Sequence, residues 1–440
     1  MTDDRLHPDT VELLERRKRH FVPTAYHYHK EPLQLTKAQG CHVWDATGRR
    51  YLDAIGGIVS ISAGHNHPRI KQMLLAMLDR DEIQHTSVLY LTKYPVELAE
   101  RLVAEAPPGL TQAAFTNSGS EANEFACMAA RHATGDPTIL SLQHGYHGGT
   151  SGALASCGQS SWRFRGQPVA GVVHAPAPYC YRCPFGATPD ACALECARAV
   201  ETTIQTATHG RLAAMIAEPI MGVGGFITPP KDYFDEITRI VHRYGGKYIS
   251  DEVQTGAGRC GEDFLLTNTL GIDADAVTMA KGLGNGAAVG AVLVKPDLVK
   301  EMAGKLYFNT FAADPYQMAQ ASANMDIIRE ERLIGNAKAM GARLTDGLKG
   351  LMERHPLIGD VRGRGLLVGC ELVQDRRSKA YAPDETAALM EYCKEHGVLI
   401  GKGGLFGNVI RLAPPLAVTA AQIDELLTVI DRGLTTLARR

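Results

Sequence analysis

Between about residue 110 and residue 300 the chain repeats one pattern: a short apolar run, a polar or glycine-rich break, then a longer stretch with apolar positions at helical spacing. The runs Gln112–Phe115, Thr138–Leu142, Leu212–Ala217, Lys247–Ser250 and Ala276–Met279 are too short for helices and read as strands. Strands separated by helical stretches of this length predict crossover units and a mostly parallel sheet, whose ligands sit at the carboxyl ends of the strands. From about 316 to 355 the pattern turns helical, and Gly359–Glu371 and Val409–Leu412 then read as strands of a second layer. The expected fold class is α/β, a large domain with a mostly parallel sheet flanked by helices plus a smaller α+β domain. The divisions are placed at 1–60 for an N-terminal segment joining the small domain, 61–320 for the large domain and 321–440 for the C-terminal small domain.

Composition narrows the partners. With 45% apolar and 21% charged residues in 440, general disorder, a coiled coil and a collagen-like fibre are excluded. Lys plus Arg (46) against Asp plus Glu (48) leaves a formal net charge of -2 and no basic field for a polyanion, so no nucleic acid partner is expected. The purest apolar stretch, Gly286–Val294, is far shorter than the ~18 to 20 residues a bilayer requires, so no membrane span is expected either. The N-terminus carries Asp3 and Asp4 and lacks the apolar run of a secretory signal, and ten cysteines are too sparse for a disulfide scaffold. The expected compartment is therefore cytoplasmic, with reduced thiols.

Candidate chemistry sits at three strand ends. The first strand runs into Thr116, Asn117, Ser118, Gly119, Ser120, Glu121, where free backbone N–H groups and two hydroxyls at a helix start would stabilise an anion; an ordinary capping box reads equally well there. Lys247–Ser250 leads to Asp251, a carboxylate able to bind a metal, cap a helix or hold a protonated ring nitrogen. Ala276–Met279 leads to Lys281 and then Gly282, Leu283, Gly284, Asn285, Gly286. A lysine at a buried strand end is costly as an ammonium, and one relief is a Schiff base with a carbonyl cofactor. A phosphate cup, a strand-end aspartate and a strand-end lysine, in that order, suit pyridoxal 5'-phosphate. The dinucleotide fingerprint is missing, and the glycines follow their lysine instead of preceding it as in a nucleotide-phosphate loop.

With these blocks, together with Gly64–Pro68, Gly145–Gly148, Glu218–Ile220, Asp251–Arg259 and Phe308–Pro315, roughly residues 25 to 435 resemble the class III, or ω-type, aminotransferases of the fold type I pyridoxal phosphate enzymes. Tyr51–His67, His85–Val88 and Ile400–Pro414 look most like the alanine–glyoxylate and 3-aminoisobutyrate–pyruvate group. The resemblance implies a homodimeric transferase acting on small amino and keto acids. Racemases and lyases built on the same site are the alternative. It also implies roles. Lys281 carries the cofactor and Asp251 contacts its ring nitrogen. Val253 and Tyr146 take the two ring faces, with plain core packing as the lesser alternative for each, and Gln254 approaches the ring hydroxyl. Ser118, Gly119 and Ser120 bind the phosphate, with Thr310 arriving from the neighbouring subunit, a plain loop hydroxyl being the alternative for that threonine. His147 and Glu218 complete the cofactor-binding set.

Arg411 matches the arginine that in this family receives a substrate carboxylate, although a structural ion pair is an alternative. Val223 stands five residues after Glu218, where ω-amino acid members usually carry a glutamate that neutralises that arginine. The expected donors are therefore alanine or a short β-amino acid, with pyruvate or glyoxylate as acceptor. Cys180, Cys183, Cys192 and Cys196 could wrap zinc, but the prolines around them read as a surface excursion in which thiols pack, and no metal ligand is assigned.

Overall fold

The computed structural model describes residues 8–24, 27–164, 170–188 and 191–438, so Asp3 and Asp4 lie outside the described residues. Its centre is a seven-stranded sheet: β1 (Gln112–Thr116), β2 (Ile139–Leu142), β3 (Val172–Ala175), β4 (Ala214–Ala217), β5 (Lys247–Asp251), β6 (Ala276–Met279) and β7 (Gly290–Val294), in spatial order β1-β7-β6-β5-β4-β2-β3. The pairs from β6 through β3 are parallel, whereas β7 runs antiparallel to both neighbours.

Strands β2, β4, β6 and β7 are buried at every position, which explains why they read as continuous apolar runs without alternation. Helix α1 (Gly119–Thr134) follows β1 and places Ala122, Phe125, Ala126, Ala129 and Ala130 on one face, against Ile216, Ile249 and Val292 of the sheet. Ser118 caps its start by accepting from the Glu121 N–H at 3.2 Å, and Gly135, at φ 70°, ends it. Helix α2 (Tyr233–Arg243) covers the other face through Tyr233, Phe234, Ile237 and Val241.

Two smaller sheets flank this core. Leu35–Gln39, His42–Asp45 and Arg50–Asp53 form a meander, to which Val398–Leu399 adds a parallel strand. The predicted strand Gly359–Glu371 is in fact a hairpin, Ile358–Arg364 and Leu367–Asp375, reversed at Gly365, where φ is 52°. Val409–Leu412 pairs with its second arm and sets Arg411 opposite Gly369. Among the described residues no helix is long and apolar enough to cross a membrane.

Candidate active site

The carboxyl ends of β1, β4, β5 and β6 open into one cavity of about 310 Å³. Ten of the twelve residues picked from the sequence line it: Ser118, Gly119, Ser120, Tyr146, His147, Glu218, Asp251, Val253, Gln254 and Lys281. Arg411 stands behind that wall, its guanidinium Nη2 donating to Gln254 Oε1 at 2.7 Å. Thr310 lies on an exposed segment and does not line the cavity; its neighbour Asn309 accepts from Asn117 Nδ2 at 2.8 Å.

At the β1 end, both serine hydroxyls already accept backbone protons. Ser118 Oγ takes the Glu121 N–H, and Ser120 Oγ takes the Gly149 N–H at 3.0 Å. Each hydroxyl therefore keeps its own proton to donate, so capping does not preclude anion binding there. Gly119 between them lies against Val253, where an added Cβ would come within 2.8 Å of both valine methyls. The bare backbone lets that side chain reach the cavity floor.

Asp251, 2% exposed, is oriented by three donors. Its Oδ2 accepts from Asn123 Nδ2 and from His147 Nδ1, each at 2.7 Å, and its Oδ1 accepts from the Val253 N–H at 3.0 Å. Asn123 is itself fixed, donating also to the His147 carbonyl at 2.8 Å and accepting from Thr278 Oγ1 at 2.6 Å. Burial would pull the His147 imidazole down, but the bond to Asp251 and the charges of Asp251 and Glu218 outweigh it, so its pKa is raised. Glu218 accepts from the backbone N–H groups of Tyr146 at 3.0 Å and Gly222 at 2.8 Å. Burial first, and the charge of Asp251 second, raise its carboxyl to about 7. Asn123 is absent from the sequence-derived set because a single asparagine inside a helical pattern carries no signal of its own.

Lys281 follows β6 with φ at 45°, a left-handed conformation that costs a non-glycine residue roughly 1–3 kcal/mol. The turn is held from outside. Ser62 Oγ and Asn324 Nδ2 donate to the Gly282 carbonyl at 2.9 and 2.8 Å, and Asn285 Oδ1 accepts from the Ser62 and Ala63 N–H groups at 2.8 and 2.9 Å. Burial, followed by the nearby charge of Arg411, lowers the Lys281 ammonium to about 8, which makes the neutral, nucleophilic amine accessible near physiological pH. Tyr146 closes one side, its ring edge-on to Trp162 at 4.9 Å.

The sequence matches the family described as Aminotransferase class-III over residues 24–434. The chain belongs to the class III aminotransferases. It is 38% identical to alanine–glyoxylate aminotransferase 2 homolog 2, mitochondrial, of Arabidopsis thaliana, over 97% of this chain and 88% of that protein. It is also 33% identical to the leucine/methionine racemase of Thermococcus litoralis, over 96% and 95%. Among solved structures, an amine transaminase from an uncultivated Pseudomonas species in its pyridoxal-phosphate-bound form superposes with a TM-score of 0.87 at 30% identity, over 95% of this chain and 98% of that one. This class III aminotransferase has the fold type I architecture and is a pyridoxal phosphate-dependent transaminase.

The site's own residues suit that cofactor: two hydroxyl donors at a helix start, a buried carboxylate held by three donors, and a lysine whose ammonium is disfavoured. The cysteine excursion is separate. Cys180, Cys183, Cys192 and Cys196 line a second cavity of about 360 Å³, and burial raises the thiols of Cys180 and Cys196, the latter to about 12, which keeps them protonated. Among the described residues no group of three or more His, Cys, Asp or Glu side chains is placed to hold a metal ion.

Proposed function

We propose that this transaminase moves an amino group from alanine or a short β-amino acid to pyruvate or glyoxylate. The observation that carries the reading is Arg411, 4% exposed, one hydrogen bond behind the cavity wall and close enough for its charge to depress Lys281. A planar fork of donors at that place suits a substrate carboxylate, and Val223 brings no acid to compete for it. Pyridoxal phosphate supplies an electron sink for the pair left when the α-proton departs. This chain's residues do the rest. Asp251 would hold the ring nitrogen protonated, Ser118, Gly119 and Ser120 would hold the phosphate, Val253 and Tyr146 would confine the ring, and Lys281 would take the proton from the α-carbon. Glu218 and His147 shape the electrostatics behind them.

The test is a donor and acceptor screen with the loaded enzyme. Alanine alone should yield one pyruvate per site, and simple amines should be poor donors. The racemase among the relatives gives the alternative a definite outcome: loss of alanine optical activity with no keto acid released would replace the transaminase substrate reading.

Assembly as a homodimer belongs to the same proposal. Leu306, Tyr307, Phe308 and Phe311 are exposed around Thr310, an apolar run that a second copy would cover while delivering Thr310 to its neighbour's phosphate site. Sedimentation of the intact protein as a monomer that retains full cofactor would refute it. A cytoplasmic location is proposed because all ten cysteines are free thiols, as a reducing compartment would keep them, although the Arabidopsis relative is mitochondrial by name; fractionation of cells expressing the protein decides.

A further inference from the structure

We propose that Gln254 is a neutral gate on Arg411: its amide oxygen occupies the guanidinium until a substrate carboxylate displaces it. The inference rests on the reading of Arg411 as the carboxylate receiver.

The pair is built into the fold. Arg411 Nη2 donates to Gln254 Oε1 at 2.7 Å, and both residues are buried, at 4% and 5% exposure. The Phe226 ring lies 4.7 Å from the guanidinium carbon, so the cation is supported on one side by an aromatic face. Both side chains lie against glycine. A Cβ added at Gly222 would come within 2.3 Å of the Gln254 amide, and one added at Gly403 within 2.5 Å of Arg411 Cδ. At 223 the valine side chain has no acceptor, and its carbonyl is engaged by the Gly404 N–H at 2.9 Å.

The chemistry of the acceptor decides what the gate does. The Arg411–Gln254 bond is already charge-assisted through its donor, but a carboxylate adds a full opposite charge and can take two parallel N–H bonds from the guanidinium fork. An incoming carboxylate therefore outcompetes an amide oxygen, whereas it would gain nothing against a resident carboxylate. A plain amine brings no acceptor at all and leaves Arg411 with Gln254. Substrates bearing an acid group are thus selected against a neutral amide that yields to them.

The test is equilibrium binding of propionate, an unreactive carboxylate, to the cofactor-loaded enzyme by calorimetry. Gln254→Glu should weaken propionate by about tenfold or more, because an ion pair must now be broken. Gln254→Leu should tighten it by roughly threefold, because the amide oxygen that competes for Nη2 is removed. Should the leucine variant fail to load cofactor, Gln254→Met, similar in length and without the amide oxygen, takes its place with the same expected sign. General damage to the site would weaken binding in every variant, so opposite signs support the gate, and equal signs or no change overturn it. Arg411→Ala separates the two readings. If it abolishes propionate binding while the Gln254 variants move together, the gate alone fails; if propionate still binds, the carboxylate-receiver reading fails with it.

Discussion

Replacing Asp251 with Asn keeps the size of the side chain but removes its charge, and the loss reaches every group that leans on it. Three donors converge on the carboxylate: two on Oδ2, from Asn123 and His147, and one on Oδ1, from Val253. An amide offers a single acceptor oxygen, so at least one buried N–H must face the NH₂, at about 1–3 kcal/mol. His147 loses the partner that holds its pKa up, leaving burial to pull it down. Glu218 loses the repulsion that contributes to its value near 7. With the ring nitrogen no longer held protonated, transition-state stabilisation should fall by about 3 kcal/mol, roughly two decades in kcat/KM. Single-turnover conversion of alanine by the loaded variant measures the rate, and ¹⁵N-histidine NMR follows His147 independently of activity. A kcat/KM near that of the wild type, or a His147 titration that does not shift downward, would refute the assignment.

Cofactor capture by stripped enzyme should speed up as pH rises through about 8, because the neutral amine of Lys281 is the nucleophile; Arg411→Gln should move that midpoint upward, and a midpoint that stays or falls refutes the coupling. Arg362→Met should destabilise the protein by about 3–5 kcal/mol, seen as a lower urea midpoint, because Arg362 pairs at 2.8 Å with the fully buried Glu371. Burial raises the Glu371 carboxyl, but Arg362, the Tyr179 hydroxyl and Arg182 outweigh it, so the wild type should lose this contribution only as pH falls through the depressed pKa, whereas the variant lacks it at neutral pH. Gly119→Ala should weaken cofactor binding by displacing Val253, read as an increased dissociation constant for pyridoxal phosphate.

The strands that end at chemistry are legible within a residue or two, because each is a short apolar run stopped by polar or glycine residues. Two sheet members are not. The run Gly286–Val294 draws attention only as too short a membrane span, although its second half is β7, and Val172–Ala175 is a four-residue edge strand with too little length to show a period. The hairpin around Gly365 reads as one strand because apolar residues flank the reversal closely and the only signal is the glycine itself. At the site, lysine, aspartate and serines announce themselves by residue type at strand ends. The Asn123–Asp251 and Gln254–Arg411 pairs join residues more than a hundred positions apart, and nothing local in the sequence encodes such a meeting.

Strand β7 also dictates when the site can come into being. Among the described residues it is the only neighbour of β1 in the sheet, pairing Gly290 with Thr116, and it separates β1 from the strand that leads to Lys281. During synthesis β1 and its serine turn leave the ribosome early, yet they have no sheet edge to join until residues 290–294 have emerged. A nascent chain halted after Lys281 would hold the anchor and the phosphate turn on pieces not yet joined, and non-local pairing of this kind forms slowly. The serine turn and Lys281 thus come together in one sheet only late in translation. Chaperones would meet a β1 edge exposed for most of the time the ribosome takes to make the sheet.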